Sequence, residues 1–195
     1  MPGTGIKVVY GVHASVQHME AIASNLPSKT GKRLEDWIQL LEASGPASTK
    51  DRMDWLKSAH GLGRDTAMTI VEFAEGRANP DPHALVDAMY AGPKAALRPL
   101  YEAALDLALS LGEDATATPC STYVPLVRKQ TFALLKPTTR TRIDLGLALP
   151  DVQPTERLKS AKALGSNRIT HVVGLSSLAD LDDELKGWLR QAYEG

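Results

Sequence analysis

The chain of 195 residues is 43% hydrophobic and 23% charged with a formal net charge of −1, a composition that excludes intrinsic disorder and a global electrostatic attraction to nucleic acid or membranes. Its one cysteine, Cys120, excludes an internal disulfide and a Cys-x-x-Cys zinc motif. Neither a signal-peptide pattern nor an apolar run of the ~20 residues needed to span a bilayer is visible, so we expect a cytoplasmic protein without a membrane span.

The first part of the chain has the apolar spacing of amphipathic α-helices. A short β-branched segment, Ile6 to Tyr10, comes before them, and a strand and an irregular lead both stay open for it. Glycine, proline and capping residues then set the helix ends. We predict four helices: 13–25 stopped by Pro27, 34–43, one that begins at Ser48 with Asp51 as a capping partner, and one from Gly63 to Gly76. These elements predict an all-helical domain over residues 1–78, followed by a linker at ANPDP, 78–82.

The second part of the chain changes from a helical to a strand-like period. Leu85–Tyr90 and a segment reaching Leu111 are helical, and Pro99 either starts the second of these helices or kinks it. Four segments alternate like strands: 123–128, 131–136, 141–149 and 168–177. Pro125 lacks an N–H donor, which predicts an edge strand for 123–128. With a last helix that starts near Ser176–Ala179, residues 83–195 predict an α+β domain: about four antiparallel strands with flanking helices on one face.

The segment HGLGRDTAMTIV, 60–71, fits the helix–hairpin–helix pattern, in which a Gly-apolar-Gly turn joins two helices. Its pattern positions are Leu56, Ala59, Gly61, Leu62, Gly63, Ala67 and Ile70. Glycines let the turn approach a phosphate, and the N–H groups that begin the second helix then face the anion. Arg64 and Thr66 would add donors. The alternative is a plain packing corner, because the motif is short and Asp65 offers the helix an internal counter-charge.

A second anion site is indicated by charge. Residues 120–170 carry nine basic and three acidic side chains, whereas the whole chain is nearly neutral. Strand alternation in KPTTRTRIDLG, 136–146, puts Arg140, Arg142 and Asp144 on one face, with Lys136 and Arg128 on neighbouring strands. Basic side chains near Tyr123 and Phe132 have the ingredients of a nucleic-acid platform. The alternative is a solvated face on which Asp144 pairs with an arginine and Phe132 is buried.

Two further hypotheses involve the α+β domain. A small-molecule pocket between sheet and helices would be lined by Tyr123, Phe132, His171 and Trp188. An enzyme would use Cys120 as a nucleophile with a base such as His171. The chain has no metal-ligand spacing, P-loop or dinucleotide motif, so no metal or cofactor is expected.

Several long motifs together resemble an uncharacterised bacterial two-domain family. KTGKRLEDWIQLL, WLKSAHGLG and IVEFAEG are similar to a short helical domain of unknown function. PLVRKQTFALLKPTTRTRIDLGLAL, RITHVVGLSS and DDELKGWLRQAYE are similar to a second domain that is often fused behind the first. The resemblance covers roughly residues 13–195 and implies a small α+β fold for the second half. It implies no activity, cofactor or catalytic residue, and Cys120 stands alone where some relatives carry a cysteine pair.

The leading hypothesis is therefore a non-enzymatic binding protein for a phosphate-bearing ligand such as nucleic acid. Its contacts would come from Gly61, Gly63 and Arg64 in the helical half and from Arg128, Lys136, Arg140 and Arg142 in the sheet half. A small-molecule binding domain is the alternative. The oligomeric state does not follow from the sequence.

Overall fold

A computed structural model describes residues 8–161 and 164–195 of the chain. These residues form two compact units: 13–80, and 8–12 together with 81–195. The sequence-based ranges, 1–78 and 83–195, differ from this division in where residues 8–12 belong. Of the segment left open as a strand or a lead, Ile6 and Lys7 lie outside the described residues, and Val8–Tyr10 have no regular structure.

The helical unit contains the predicted helices, here α1 to α4: Ala14–Thr30, Leu34–Ser44, Thr49–His60 and Arg64–Ala74. Their apolar faces meet in one core, whose members are less than 5% exposed: Leu26, Trp37, Leu41, Leu56, Ala67, Ile70 and Val71. Ser48 caps α3 as predicted, because its Oγ accepts a hydrogen bond from the N–H of Asp51 at 3.2 Å. The spacing of apolar residues thus builds this unit as the sequence indicates.

The predicted stop at Pro27 is wrong, because α1 continues to Thr30 and ends at Gly31, which has a φ of 74°. Pro27 removes only one N–H donor, the one that would reach the carbonyl of Ala23. The last turn keeps other bonds: Thr30 Oγ1 donates to the carbonyl of Leu26 at 2.8 Å, and the N–H of Gly31 donates to that of Pro27 at 2.9 Å. Burial of Leu26, which is 1% exposed, anchors the turn in the core.

The α+β unit begins with two helices, α5 (Pro82–Met89) and α6 (Arg98–Leu109), separated by a 3-10 turn at Gly92–Leu97. Pro99 lies in the first turn of α6, where its missing N–H has no partner to lose, so it starts the helix. The last helix, α7 (Asp183–Glu194), begins later than predicted. A 3-10 turn at Leu178–Asp180 precedes it, and Asp182 then caps it by accepting from the N–H of Leu185 at 3.0 Å.

In residues 8–161 and 164–195 the unit's sheet is antiparallel throughout, with six strands in the order β1-β2-β3-β4-β6-β5. The strands are β1 Thr116–Ala117, β2 Val124–Val127, β3 Thr131–Pro137, β4 Ile143–Leu147, β5 Lys159–Ser160 and β6 His171–Leu175. Three of the four longer strands lie within their predicted segments, and β3 extends one residue past its segment, to Pro137. The two strands of two residues each are too short to show an alternating pattern. The α+β class is confirmed.

Placing residues 123–128 at the sheet edge is wrong, because β2 pairs with β1 on one side and β3 on the other. The carbonyl of Pro125 accepts from the N–H of Thr118 at 3.0 Å, so the polar groups of Pro125 face the β1 side. β1 ends at Ala117, one residue before Thr118. Proline is tolerated at position 125 because the regular β1–β2 pairing has ended opposite it, so no ladder hydrogen bond needs the N–H that it lacks.

The sheet packs one face against α5, α6 and α7, where Tyr101, Leu105, Leu135, Leu145 and Leu189 are among the buried members of a single core. On the opposite face, Leu164 and Ile169 lie over Gly146 of β4. There Gly146 allows close packing, since a Cβ on it would lie 2.7 Å from Ile169 and 3.1 Å from Leu134. Among the described residues, no helix is long and apolar enough to cross a membrane.

Candidate nucleic-acid interface

The helix–hairpin–helix segment forms a tight turn between α3 and α4. Gly61 has a φ of 67°, a conformation that favours glycine. Its N–H donates to the carbonyl of Lys57 at 3.1 Å, and the N–H of Leu62 donates to that of Leu56 at 3.2 Å. Of the motif's four helical apolar positions, Leu56, Ala67 and Ile70 are 0% exposed, whereas Ala59 is exposed. The apolar residues hold the two helices together while the turn itself points outward.

The turn, defined as Gly61–Arg64 and called the glycine hairpin, is open to solvent at its polar positions. Gly61, Gly63 and Arg64 are exposed, and a Cβ placed on Gly63 would have no heavy atom within 4 Å. Gly63 is the N-cap of α4 and has no side chain to satisfy the N–H groups of its first turn. Asp65, also exposed, is the acidic residue of that turn. In the described part of the chain Arg64 takes part in no ion pair.

An aromatic cluster beside the hairpin was missed by the sequence reasoning. The ring of His60 lies edge-on to Trp37 and Trp55, with centroids 5.4 and 4.5 Å apart. Trp37 donates from Nε1 to Thr30 Oγ1 at 2.9 Å, and Lys32 Nζ lies 5.4 Å from the Trp37 ring. The KTGK and HGLG motifs therefore meet at one tryptophan. The two motifs are about 30 residues apart in the sequence, so their contact with Trp37 could not be predicted from it. The contact depends on how α2 packs against α1 and α3.

The cations predicted on one face of the sheet are placed differently. Lys136 and Asp144 are register partners on β3 and β4, and Arg142 Nε lies 2.8 Å from Asp144 Oδ1. Thr138 Oγ1 donates to the other carboxylate oxygen at 2.6 Å, and Asp144 is only 8% exposed. Arg142 is thus largely neutralised by a buried carboxylate. Arg140 lies exposed in the loop between the two strands.

Arg128 lies at the opposite end of β3 from Lys136, roughly 20 Å away along the strand. Its Nε is 2.7 Å from Asp114 Oδ2, its Nη1 donates to the carbonyl of Tyr193 at 3.2 Å, and its guanidinium lies 4.5 Å from the Tyr193 ring. The Tyr193 hydroxyl and Arg128 both donate to Asp114, which lowers the pKa of that carboxyl. The structure brings Lys136 and Arg142 together around Asp144 and leaves Arg128 in a separate group.

The four residues of the predicted small-molecule pocket have separate surroundings. Tyr123 donates to the carbonyl of Gly165 at 2.8 Å, and Arg157 lies 5.7 Å from the ring of Trp188. Phe132 is 4% exposed and packs edge-on against Tyr193. His171 is 4% exposed, and its Nδ1 lies 2.9 Å from Thr170 Oγ1.

The proposed Cys120–His171 nucleophile and base have other partners. Cys120 Sγ contacts the carbonyl of Tyr123 at 3.2 Å, and no hydrogen bond joins Cys120 to His171 within residues 8–161 and 164–195.

A helical unit followed by an α+β unit defines the class of this protein. Residues 86–195 match the model of the family described as "Domain of unknown function (DUF5655)", and residues 18–76 match that of "Domain of unknown function (DUF4287)". The first match covers more than half of the chain, which therefore belongs to the DUF5655 family. This two-domain arrangement agrees with the resemblance in the sequence motifs. No curated protein and no solved structure matches the chain.

Proposed function

We propose that the protein binds nucleic acid through its sugar-phosphate backbone and that the glycine hairpin is the primary contact. The observation that carries the proposal is the exposed Gly61–Gly63 turn, which opens onto a helix N-terminus without a side-chain cap. The first N–H groups of α4 are donors in need of an acceptor, and the helix dipole favours an anion beside them. Non-bridging phosphate oxygens meet both needs.

The absence of side chains on the hairpin supports backbone binding. A phosphate in hydrogen-bond contact with a main-chain N–H comes close to the neighbouring Cα, and the open space around Gly63 accommodates it. Arg64 follows directly and supplies a guanidinium, the group best suited to phosphate oxygens. Lys32 Nζ lies 5.4 Å from the Trp37 ring, which in turn contacts His60, and it is a second candidate cation of the helical unit. None of these contacts reads a base edge, so we expect little sequence preference.

The negative charge of Asp65 argues against a phosphate at this helix end, and substituting this residue tests the proposal. Its carboxylate lies in the first turn of α4, where it favours the helix but repels a phosphate. Replacing it by asparagine removes the repulsion and keeps a side chain of the same shape. Asp65→Asn should therefore strengthen nucleic-acid binding, whereas a turn that only packs helices gives no reason for a gain.

Lys136 and Arg140 form a second candidate contact on the α+β unit. Arg142 is a weaker candidate for phosphate contact than its sequence position indicates, because its guanidinium already pairs with Asp144. Arg128 belongs to a different group of residues, at the other end of β3.

The test is a fluorescence-anisotropy titration of labelled single- and double-stranded DNA and RNA at about 50 mM salt, the range in which phosphate contacts are strongest. The variants are Gly63→Val, Arg64→Ala and Asp65→Asn, with Arg190→Ala as a control that removes an exposed arginine from α7. The proposal expects weaker binding for the first two, stronger binding for the third and no change for the control. Circular dichroism confirms that each variant is folded. Equal binding by Arg64→Ala and Arg190→Ala would contradict the proposal, as would no binding to any oligomer.

A further inference from the structure

A cleft of about 580 Å³ opens at the end of the sheet where β2 meets β3 and where α7 ends. Its size lies within the ~300–1,000 Å³ typical of small-ligand sites. Apolar side chains, among them Phe132, Leu149 and Val152, form part of the wall. The cleft belongs entirely to the α+β unit and is distinct from the glycine hairpin.

Charged side chains of both signs surround this cleft. Arg128, Lys129 and Arg168 supply three cations, and Asp151 and Glu194 supply two carboxylates. In the described part of the chain, Lys129, Arg168, Asp151 and Glu194 take part in no ion pair, although all four line one cleft. Side chains that do not neutralise one another leave their charge available to a ligand.

Arg128 is the cation that the fold holds in place. Arg128 Nε pairs with Asp114, its Nη1 donates to the carbonyl of Tyr193 in the last turn of α7, and the Tyr193 ring lies 4.5 Å from the guanidinium. Its contact with the carbonyl of Tyr193 also offsets the negative end of the α7 dipole, which would otherwise repel an anion. The remaining nitrogen, Nη2, has no hydrogen-bond partner among the described residues. An arginine immobilised in this way loses little side-chain entropy when it binds a ligand.

We propose that this cleft binds a small organic anion: Lys129 and Arg168 supply the charge that holds a carboxylate or phosphate headgroup, Nη2 of Arg128 adds an oriented donor, and a compact apolar group lies against Phe132 and Leu149. Carboxylate and phosphate share the chemistry that a guanidinium recognises. The two carboxylates of the wall limit the affinity and select against ligands that carry more than one distant negative charge. This site needs neither nucleic acid nor the hairpin.

The experiment is an NMR titration of ¹⁵N-labelled full-length protein with three probes that share a phenyl ring: phenyl phosphate, benzoate and neutral benzyl alcohol. Amides of Lys129–Thr131 and Asn167–Thr170 report the cleft, and amides of Gly61–Thr66 report the hairpin. Failure of the cleft and failure of the hairpin are therefore seen separately. We expect one or both anions to shift the cleft amides and the alcohol to leave them unchanged. Whichever anion binds more tightly identifies the headgroup.

Two substitutions with opposite effects test the electrostatics. Arg168→Ala removes a charged donor and should weaken anion binding roughly tenfold, as expected for a hydrogen bond to a charged group. Glu194→Gln removes a repulsive charge and should strengthen binding several-fold, while Arg190→Ala, outside the cleft wall, should change neither value. The spectra themselves show whether each variant is folded. The proposal is overturned if neither anion shifts the cleft amides, if benzyl alcohol binds as well as the anions, or if Arg168→Ala leaves the Kd unchanged.

Discussion

Three tyrosines in the α+β unit allow a test of how buried hydroxyls contribute to stability. Tyr10 and Tyr101 join their hydroxyls at 3.0 Å, and the ring of Tyr90 stacks on that of Tyr101 with centroids 4.6 Å apart. Tyr90 is 3% exposed, and its hydroxyl has no hydrogen-bond partner among the described residues. Tyr90→Phe and Tyr101→Phe remove the same atom from neighbouring rings, so their effects on stability compare directly.

The two substitutions should change the free energy of unfolding in opposite directions. Burying a hydroxyl without a partner costs about 1–3 kcal/mol, so Tyr90→Phe should stabilise the unit by about 1 kcal/mol once residual solvation is allowed for. Tyr101→Phe breaks a bond and leaves the half-buried Tyr10 hydroxyl unpaired, which should destabilise the unit by about 1 kcal/mol. Both variants keep the ring and its stacking.

Urea unfolding followed by circular dichroism measures both changes at pH 7. Burial also raises the pKa of Tyr90, so its neutral form is favoured in the folded state. The free energy of unfolding is therefore unaffected by this titration below the unfolded pKa of ~10. It falls as the pH rises above that value, because the unfolded chain then loses the Tyr90 proton while the folded chain keeps it. Tyr90→Phe should lose less stability than the wild type between about pH 10 and 11. A destabilised Tyr90→Phe, or equal effects of the two variants, would refute the reasoning.

Three other predictions concern backbone, packing and charge. Gly61→Ala puts a Cβ at a φ of 67° and should cost the helical unit about 1 kcal/mol in urea unfolding, whereas Gly63→Ala, at a φ of −66°, should be nearly neutral. Gly146→Ala places a Cβ 2.7 Å from Ile169, and this overpacking should destabilise the α+β unit by about 1–3 kcal/mol and lower its Tm. An unchanged Tm would show that Ile169 shifts to make room at no cost. The Tyr193 hydroxyl and Arg128 lower the pKa of Asp114, so its contribution to stability is present above pH ~4 and is lost as the pH falls below it. Asp114→Asn should therefore be less stable than the wild type at pH 7 but differ less from it near pH 2, as followed by thermal denaturation.

The sequence predicted those parts of the fold that depend on local periodicity. Clear apolar spacing marks helices α2, α3 and α4 and the four longer strands. Ser48 is a typical N-cap residue and indicates where α3 begins. The early start predicted for the last helix overlooked the 3-10 turn at Leu178–Asp180, and two further errors came from prolines judged without their surroundings. Pro27 and Pro125 each remove one donor, and whether that donor was needed depends on how the last turn of α1 is bonded and on where β1 ends.

The candidate sites were less predictable because charge pairing depends on residues that are distant in the chain. The sequence allowed Asp144 to neutralise an arginine, and Arg142 is the one that it holds. Nothing near Arg128 in the sequence indicated Asp114 or Tyr193 as its partners. Lys129 and Arg168 were visible only as part of a local excess of positive charge, and their shared cleft appears once β2, β3 and α7 are assembled.

The most direct test of the central claim is the salt dependence of nucleic-acid binding by the wild type and Arg64→Ala. If the helical unit contacts about two phosphates, one through Arg64 of the glycine hairpin and one through Lys32, the slope of log K against log salt should be about −1.8 on double-stranded DNA. Loss of one contact in Arg64→Ala should reduce the slope to about −0.9, while Arg190→Ala keeps the wild-type value. Identical slopes for all three proteins would show that Arg64 touches no phosphate and that the hairpin serves only to pack α3 against α4.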